Sequence, residues 1–157
     1  MRKSVHLLLC VLLICLFTGC GEEKISTFTK TSVMDDISAV ESITLKAKGD
    51  IMLEMCQRIT FDFSALEPEV AEKMIPIYDE MYKEMKASAP SSVTVTYGKK
   101  GIGYEANIKI PLENADLQAL SDSGFLTMSG TDTSKIKQIS YKQTCDAYIA
   151  SGFSLEK

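Results

Sequence analysis

The sequence predicts an α+β domain of two layers, an antiparallel sheet of about five strands with helices packed on one face. Three observations carry this expectation. Several runs alternate apolar and polar residues with period two, which gives each strand one apolar and one wet face. Residues 70–85 instead repeat apolar side chains at helical spacing. Short glycine-containing turns separate neighbouring strand runs, as hairpins require.

In chain order, residues 25–33 carry Thr27, Phe28, Thr29, Thr31 and Val33, types that fit a pleated surface. Met34-Asp35-Asp36 breaks that run. From residue 41, Ile43, Leu45 and Ala47 face one way, and Ser42, Thr44, Lys46 and Lys48 the other. Gly49-Asp50 is a two-residue turn with Gly first. The next run places Leu53, Met55, Ile59 and Phe61 on one face, with Gln57 as the polar exception. Glu54, Cys56, Arg58, Thr60 and Asp62 take the other face. The second and third strands therefore form a hairpin.

Pro68 suits the first position of a helix, and Glu67, Glu69 and Glu72 set negative charge at its positive end. Val70, Met74, Ile77, Tyr78, Met81 and Met85 form its apolar stripe, and Pro76 inside it predicts a kink. Ala89-Pro90-Ser91 ends the helix. Val93, Val95 and Tyr97 then alternate with Thr94 and Thr96. Gly98-Lys99-Lys100-Gly101 makes a turn. Ile102, Tyr104, Ala106, Ile108 and Ile110 form the apolar side of a further strand, which Pro111 stops. Residues 114–121 read as a short helix through Ala115, Leu117, Ala119 and Leu120. Residues 125–139 are mixed, with Ile136 and Ile139 in a short extended piece. Ser140 with Gln143 is a capping-box pattern opening a last helix to about Ser151. Gly152 suits the left-handed position after it, with Phe153 folding back toward Tyr148.

The N-terminus carries an address. Arg2 and Lys3 precede an apolar run over residues 6–17, which is shorter than the roughly 20 residues that span a bilayer. Thr18-Gly19-Cys20 follows. The stretch Leu16-Phe17-Thr18-Gly19-Cys20 resembles the lipobox of bacterial lipoproteins, with Phe17 in place of the usual Leu. The resemblance implies cleavage between Gly19 and Cys20 and lipid attachment to the Cys20 thiol. The chain then divides into a leader over 1–19, a lipidated cysteine with a short tether over 20–25, and a single domain over 26–157. Two acyl chains on one cysteine anchor stably, since each buried methylene contributes about 0.8 kcal/mol. The expected location is the cell membrane, lipid-anchored and outside the cytoplasm. In a two-membrane cell, Gly21 after the lipidated cysteine points to the outer membrane.

Composition excludes several functions. Loss of the leader lowers the basic count from 17 to 15 against 21 acids, so the net charge falls from −4 to −6. Such a chain is a poor nucleic-acid binder. The single histidine, His6, leaves with the leader, and with it any histidine base or ligand. No cysteine pair has CxxC spacing, no DxDxDG calcium loop occurs, and Ser121, Ser123 and Ser129 lack GxSxG or SxxK surroundings. Gly101-Ile102-Gly103 lacks the rest of a phosphate loop. No catalytic residue, metal or cofactor is expected. The Cys56 and Cys145 thiols either pair, as an exported location permits, or stay as small half-apolar side chains. Met52, Met55, Met74, Met81 and Met85 are soft ligands for Cu(I) or simply core fillers. Tyr78, Tyr82, Tyr97 and Tyr104 line a groove or sit half-buried with wet hydroxyls.

Cys20 after the lipobox, Thr27-Phe28, Lys48-Gly49-Asp50, Glu72-Lys73-Met74 with Pro76 and Tyr78, Ile139-Ser140 and Gly152-Phe153 recur in one order and spacing. Taken together they resemble the YehR-like family of bacterial lipoproteins over residues 20–155. Met55 and Cys56 depart from it, standing where relatives are more polar. The resemblance implies a small α+β domain on a lipid anchor and supplies no catalytic residue. The expected partners are the membrane, through Cys20, and a component of the cell envelope. The expected function is non-enzymatic binding of that component, or of a small molecule in a pocket between sheet and helices.

Overall fold

The structure, a computed structural model, describes residues 21–127 and 136–156. The leader, Gly19, Cys20 and Ser129 lie outside the described residues. Among the described residues six strands form a single sheet: β1 (Glu23–Met34), β2 (Ile37–Lys48), β3 (Ile51–Asp62), β4 (Thr94–Lys100), β5 (Gly103–Pro111) and β6 (Ser154–Leu155). Three helices among the same residues accompany them: α1 (Pro68–Ser88), α2 (Leu117–Asp122) and α3 (Tyr141–Ala150). The strand order is β4-β5-β3-β2-β1-β6, and every neighbouring pair is antiparallel. β3 and β4 each run antiparallel to β5, so they are parallel to one another and α1 is their crossover. Among the described residues, no helix is long and apolar enough to cross a membrane.

β1 begins at Glu23, three residues before the domain boundary expected at 26. β1 and β2 meet in a turn where Asp35 and Asp36 both take positive φ, 48° and 65°. This is the mirror-image turn that matches strand twist, and aspartate tolerates it. The inner face of the sheet carries one cross-strand row of Phe28, Ile43, Gln57, Ile108 and Val95. The next row holds Leu45, Met55 and Ile110. Apart from the polar Gln57 these side chains are buried, and Tyr104 and Ala106 join them. Ring contacts from α1 and α3 both land on this face, as Tyr82 against Tyr104 and Tyr148 against Phe28.

The structure corrects the sequence at five places. Leu53 does not face inward with Met55. Lys46 pairs with Glu54 but Ala47 pairs with Met52, so Leu53 is an extra residue in a β-bulge. The bulge shifts the alternation by one, and Met52 is buried instead. The stripe of α1 is rotated in part. Met74, Tyr78 and Met85 pack against the core as expected, but Val70, Ile77 and Met81 face solvent, and Ala71, Ile75 and Tyr82 take their place. Both faces have helical period; the aromatic partners on the sheet chose the one that adds Tyr82. Ile102 sits in the β4–β5 turn, 63% exposed. Asn114 has φ 58°, so α2 starts only at Leu117, where the Asp116 side chain accepts from Ala119 N–H at 3.0 Å. Finally, residues 154–155 add a sixth strand against Phe28 and Thr29.

Candidate functional site

The bulge at Leu53 is where the core opens. Its carbonyl accepts two N–H groups, from Leu112 at 2.8 Å and Glu113 at 3.1 Å, and β5 ends there at Pro111. Below that point β3 has lost its neighbour. Residues 136–140 take the vacated place: Met52 N–H donates to Ile139 O at 3.0 Å and Tyr141 N–H to Asp50 O at 2.9 Å. Ile51 bridges Ser140.

α3 is set by its caps. The Ser140 hydroxyl accepts from Gln143 N–H, as the capping pattern predicts, and itself donates to Asp50 at 2.8 Å. The second Asp50 oxygen accepts Lys142 N–H at 2.8 Å. These bonds, the backbone one foremost, hold the Asp50 carboxyl below its usual range. At the other end Gly152 has φ 85°. Gly152 N–H bonds Ile149 O and Phe153 N–H bonds Tyr148 O, which is the paired closure of a Schellman motif. The Phe153 ring then meets Tyr148 edge-on at 5.2 Å, as the sequence predicts.

Between these elements lies a cleft of about 580 Å³. Met52, Met55 and Gln57 form its floor. Ser140, Gln143, Thr144, Ala147, Tyr148 and Ser151, one face of α3, form the first wall. Leu112, Phe125, Leu126, Ile136 and Ile139 contribute to the opposite wall. The interior is apolar with a rim of hydroxyls and amides. Tyr148 crosses the floor, its hydroxyl on Met55 Sδ at 3.1 Å, its ring against Phe28 at 5.8 Å. Burial first, and the Glu41 charge second, push the Tyr148 phenol up. Gln57 is fixed because its amide donates to the Glu41 carboxylate at 2.5 Å. That pair sits on the helix-covered face, where Glu41 is opposite Ile59 and Lys30. Lys30 donates to the Ser151 carbonyl at 2.9 Å and lies over the Phe153 ring.

The other candidate groups fall elsewhere. Tyr78, Tyr82, Tyr97 and Tyr104 form a ring cluster, and Tyr97 also edges a shallow surface hollow beside Thr96 and Asn107. The four rings stack with Phe61 and Phe63, centroids 4.5–6.0 Å apart, and bind α1 to the sheet. Tyr82 is buried and its phenol is pushed up to about 12 by burial. The Tyr104 hydroxyl is not wet either, since it donates to Asp79 at 2.6 Å. Of the methionines, Met81 faces solvent and Met55 already receives Tyr148. Cys56 and Cys145 are free thiols. Cys56 is on the outer sheet face, opposite Thr44 and Lys109, whereas α3 carries Cys145 on the inner side. Burial raises both thiols, so neither is activated as a thiolate. Among the described residues, no group of three or more His, Cys, Asp or Glu side chains is placed to hold a metal ion. Reading the sequence flagged Gln57 but missed Asp50 and Glu41. Alternation itself put Glu41 in line with Ile43, and that signal was available.

No family model matches the chain, and no curated protein does. Two solved structures are similar. The NMR structure of the YehR protein of Escherichia coli aligns with a TM-score of 0.62 at 18% identity, covering 87% of this chain and 93% of that one. The NMR structure of a protein from Streptococcus pneumoniae TIGR4 aligns at 0.56 with 10% identity, covering 88% of each chain. At these identities the likeness is one of fold, and the chain has a YehR-like fold.

Proposed function

We propose that the chain is a non-enzymatic lipoprotein, anchored through Cys20 outside the cytoplasm, that binds a small apolar ligand in the cleft between the sheet and α3. The cleft itself carries the reading. Its volume falls in the usual range for ligand sites, and apolar walls with a few fixed polar groups are what such sites have. This favours a pocket over a flat docking face as the way the protein meets its envelope component. The lipobox supports the anchor, with cleavage after Gly19. The first described residue, Gly21, already packs on the Gly49 turn, so the tether to Cys20 is short.

The test is native mass spectrometry of the full-length lipidated protein extracted gently from its own membrane. A retained small molecule supports the reading. A stoichiometric protein partner with an empty cleft overturns it. For the anchor, Cys20→Ala is expected to move the protein out of the membrane fraction; unchanged fractionation removes the anchor.

A further inference from the structure

We infer that the ligand is an amphiphile with a single hydrocarbon chain, of the lysophospholipid kind, taken from the bilayer to which the protein is anchored. The inference rests on the cleft reading above and on Cys20 as the anchor. Three observations lead to it.

The first is shape. The cleft follows α3 from Ser140 to Ser151, and those walls lie on one helical face. At 1.5 Å per residue the trough is roughly 16 Å long. A trough of that length enclosing about 580 Å³ is narrow and suits one extended chain.

The second is polarity. Hydroxyls and amides line the rim, from Ser140 and Gln143 at the first turn of α3 to Ser151 at its end, while Met52, Met55 and Tyr148 lie along the floor. The rim meets a head group, and the thioethers and ring of the floor meet a chain. Among the described residues no cation lines the cleft, so those that line it recognise the chain and the neutral hydrogen-bonding groups of the head.

The third is position. The Ser140 end of the trough and the point where the chain enters the fold share one turn. The Gly21 backbone packs so closely on Gly49 that a Cβ there would stand 2.7 Å from Gly49 N. Gly49 N–H donates to Glu22 O at 3.1 Å, and the next residue, Asp50, holds both Ser140 and Lys142. A lipid on Cys20 therefore brings the Ser140 end of the cleft to the bilayer surface, where a single chain passes from membrane to protein without crossing water.

The experiment uses the full-length protein in its own membrane. A lysophospholipid with a diazirine at the end of its chain is added, irradiated, and its adducts are mapped by peptide mass spectrometry. Adducts are expected on the floor around Met52–Met55 and on α3. Ala147→Trp, which fills the trough from the α3 wall, is expected to reduce them roughly tenfold, the equivalent of about two displaced methylenes. Thermal midpoint and membrane fractionation should not move; if that variant fails to fold, Thr144→Trp replaces it. Adducts confined to residues outside the cleft, or insensitive to the tryptophan, overturn the inference. So does labelling that appears only when the diazirine is carried by the acyl chains on Cys20. A retained molecule without a hydrocarbon chain, released by Ala147→Trp, overturns the inference and leaves the cleft reading standing. No retained molecule together with tryptophan-insensitive labelling takes down both.

Discussion

Gly103 shows how much one residue decides. A Cβ at that position would lie 1.8 Å from the Phe61 carbonyl oxygen, so β5 approaches β3 at a distance only glycine allows. Its neighbour Tyr104 would otherwise not reach the ring stack that holds α1. Gly103→Ala is expected to cost on the order of 3 kcal/mol, because backbone and not a flexible side chain must yield. Chemical denaturation should show a lower midpoint with unchanged slope. Asp50 is the second such residue. Its carboxyl is lowered from 3.8 by Lys142 N–H and the Ser140 hydroxyl. A lowered folded pKa stabilises above the unfolded value and loses that contribution as pH falls through the folded one. The window is therefore acidic, below about pH 4. Asp50→Asn is expected to lower the melting temperature at neutral pH and to flatten its decline below about pH 4. An identical acid limb in wild type and variant would separate Asp50 from that decline. Glu54 and Glu105, lowered by Lys109 and Lys100, contribute to the same limb, so the variant's slope falls without vanishing.

At the scale of elements, local chemistry and long-range pairing divide the work. α3 is short and only weakly amphipathic, and its ends define it: Ser140 and Asp50 at the start, Gly152 and Phe153 at the finish. The Ser140 cap and the Gly152–Phe153 closure were legible, because capping is encoded within a few residues of sequence; the Asp50 contact, 90 residues away in the chain, was not. Gly152→Ala, forced to φ 85°, is expected to cost about 1 kcal/mol and to loosen the Tyr148–Phe153 contact. Amide exchange should then quicken in the last turn of α3 and in β6 while the β2–β3 ladder keeps its protection. The β3 bulge was not legible. An extra residue in one strand is visible only against its partner, and nothing in residues 51–55 taken alone separates Met52 from Leu53. Only half of the α1 stripe was legible, for a related reason. Its large apolar residues spread over nearly half of the helix circumference, and the choice of buried side within that arc was made by Phe61, Phe63 and Tyr104 on other elements.

For the whole molecule, the sheet acts as a partition. α1 and α3 pack on one face; the other presents Thr44, Cys56, Arg58 and Asn107. The partition keeps Cys56 and Cys145 apart, so the protein purified without its leader and with Cys20 lipidated, as proposed, is expected to show two reactive thiols when denatured without reductant. A count of none would place them in a disulfide. It also divides the inner face. The aromatic stack fills the space under α1, and the bulge with the early end of β5 leaves the space beside α3 open. The proposed anchor, one residue before Gly21, and the cleft share the Gly49 end of the sheet, which would tie the proposed ligand to the membrane.

The sequence by itself determined the α+β class, the three long strands with the β2–β3 hairpin, the Ser140 and Gly152 caps of α3 and the charge balance. All of these rest on periodicity or on interactions a few residues apart. Only the tertiary structure decided which side of α1 is buried, that residues 154–155 extend the sheet, and that a cleft exists at all. The cleft depends on a register shift between residues 47 and 52 and on residues 136–140 replacing β5. Those are contacts between distant segments, and their energies are set by three-dimensional fit, which no local pattern records.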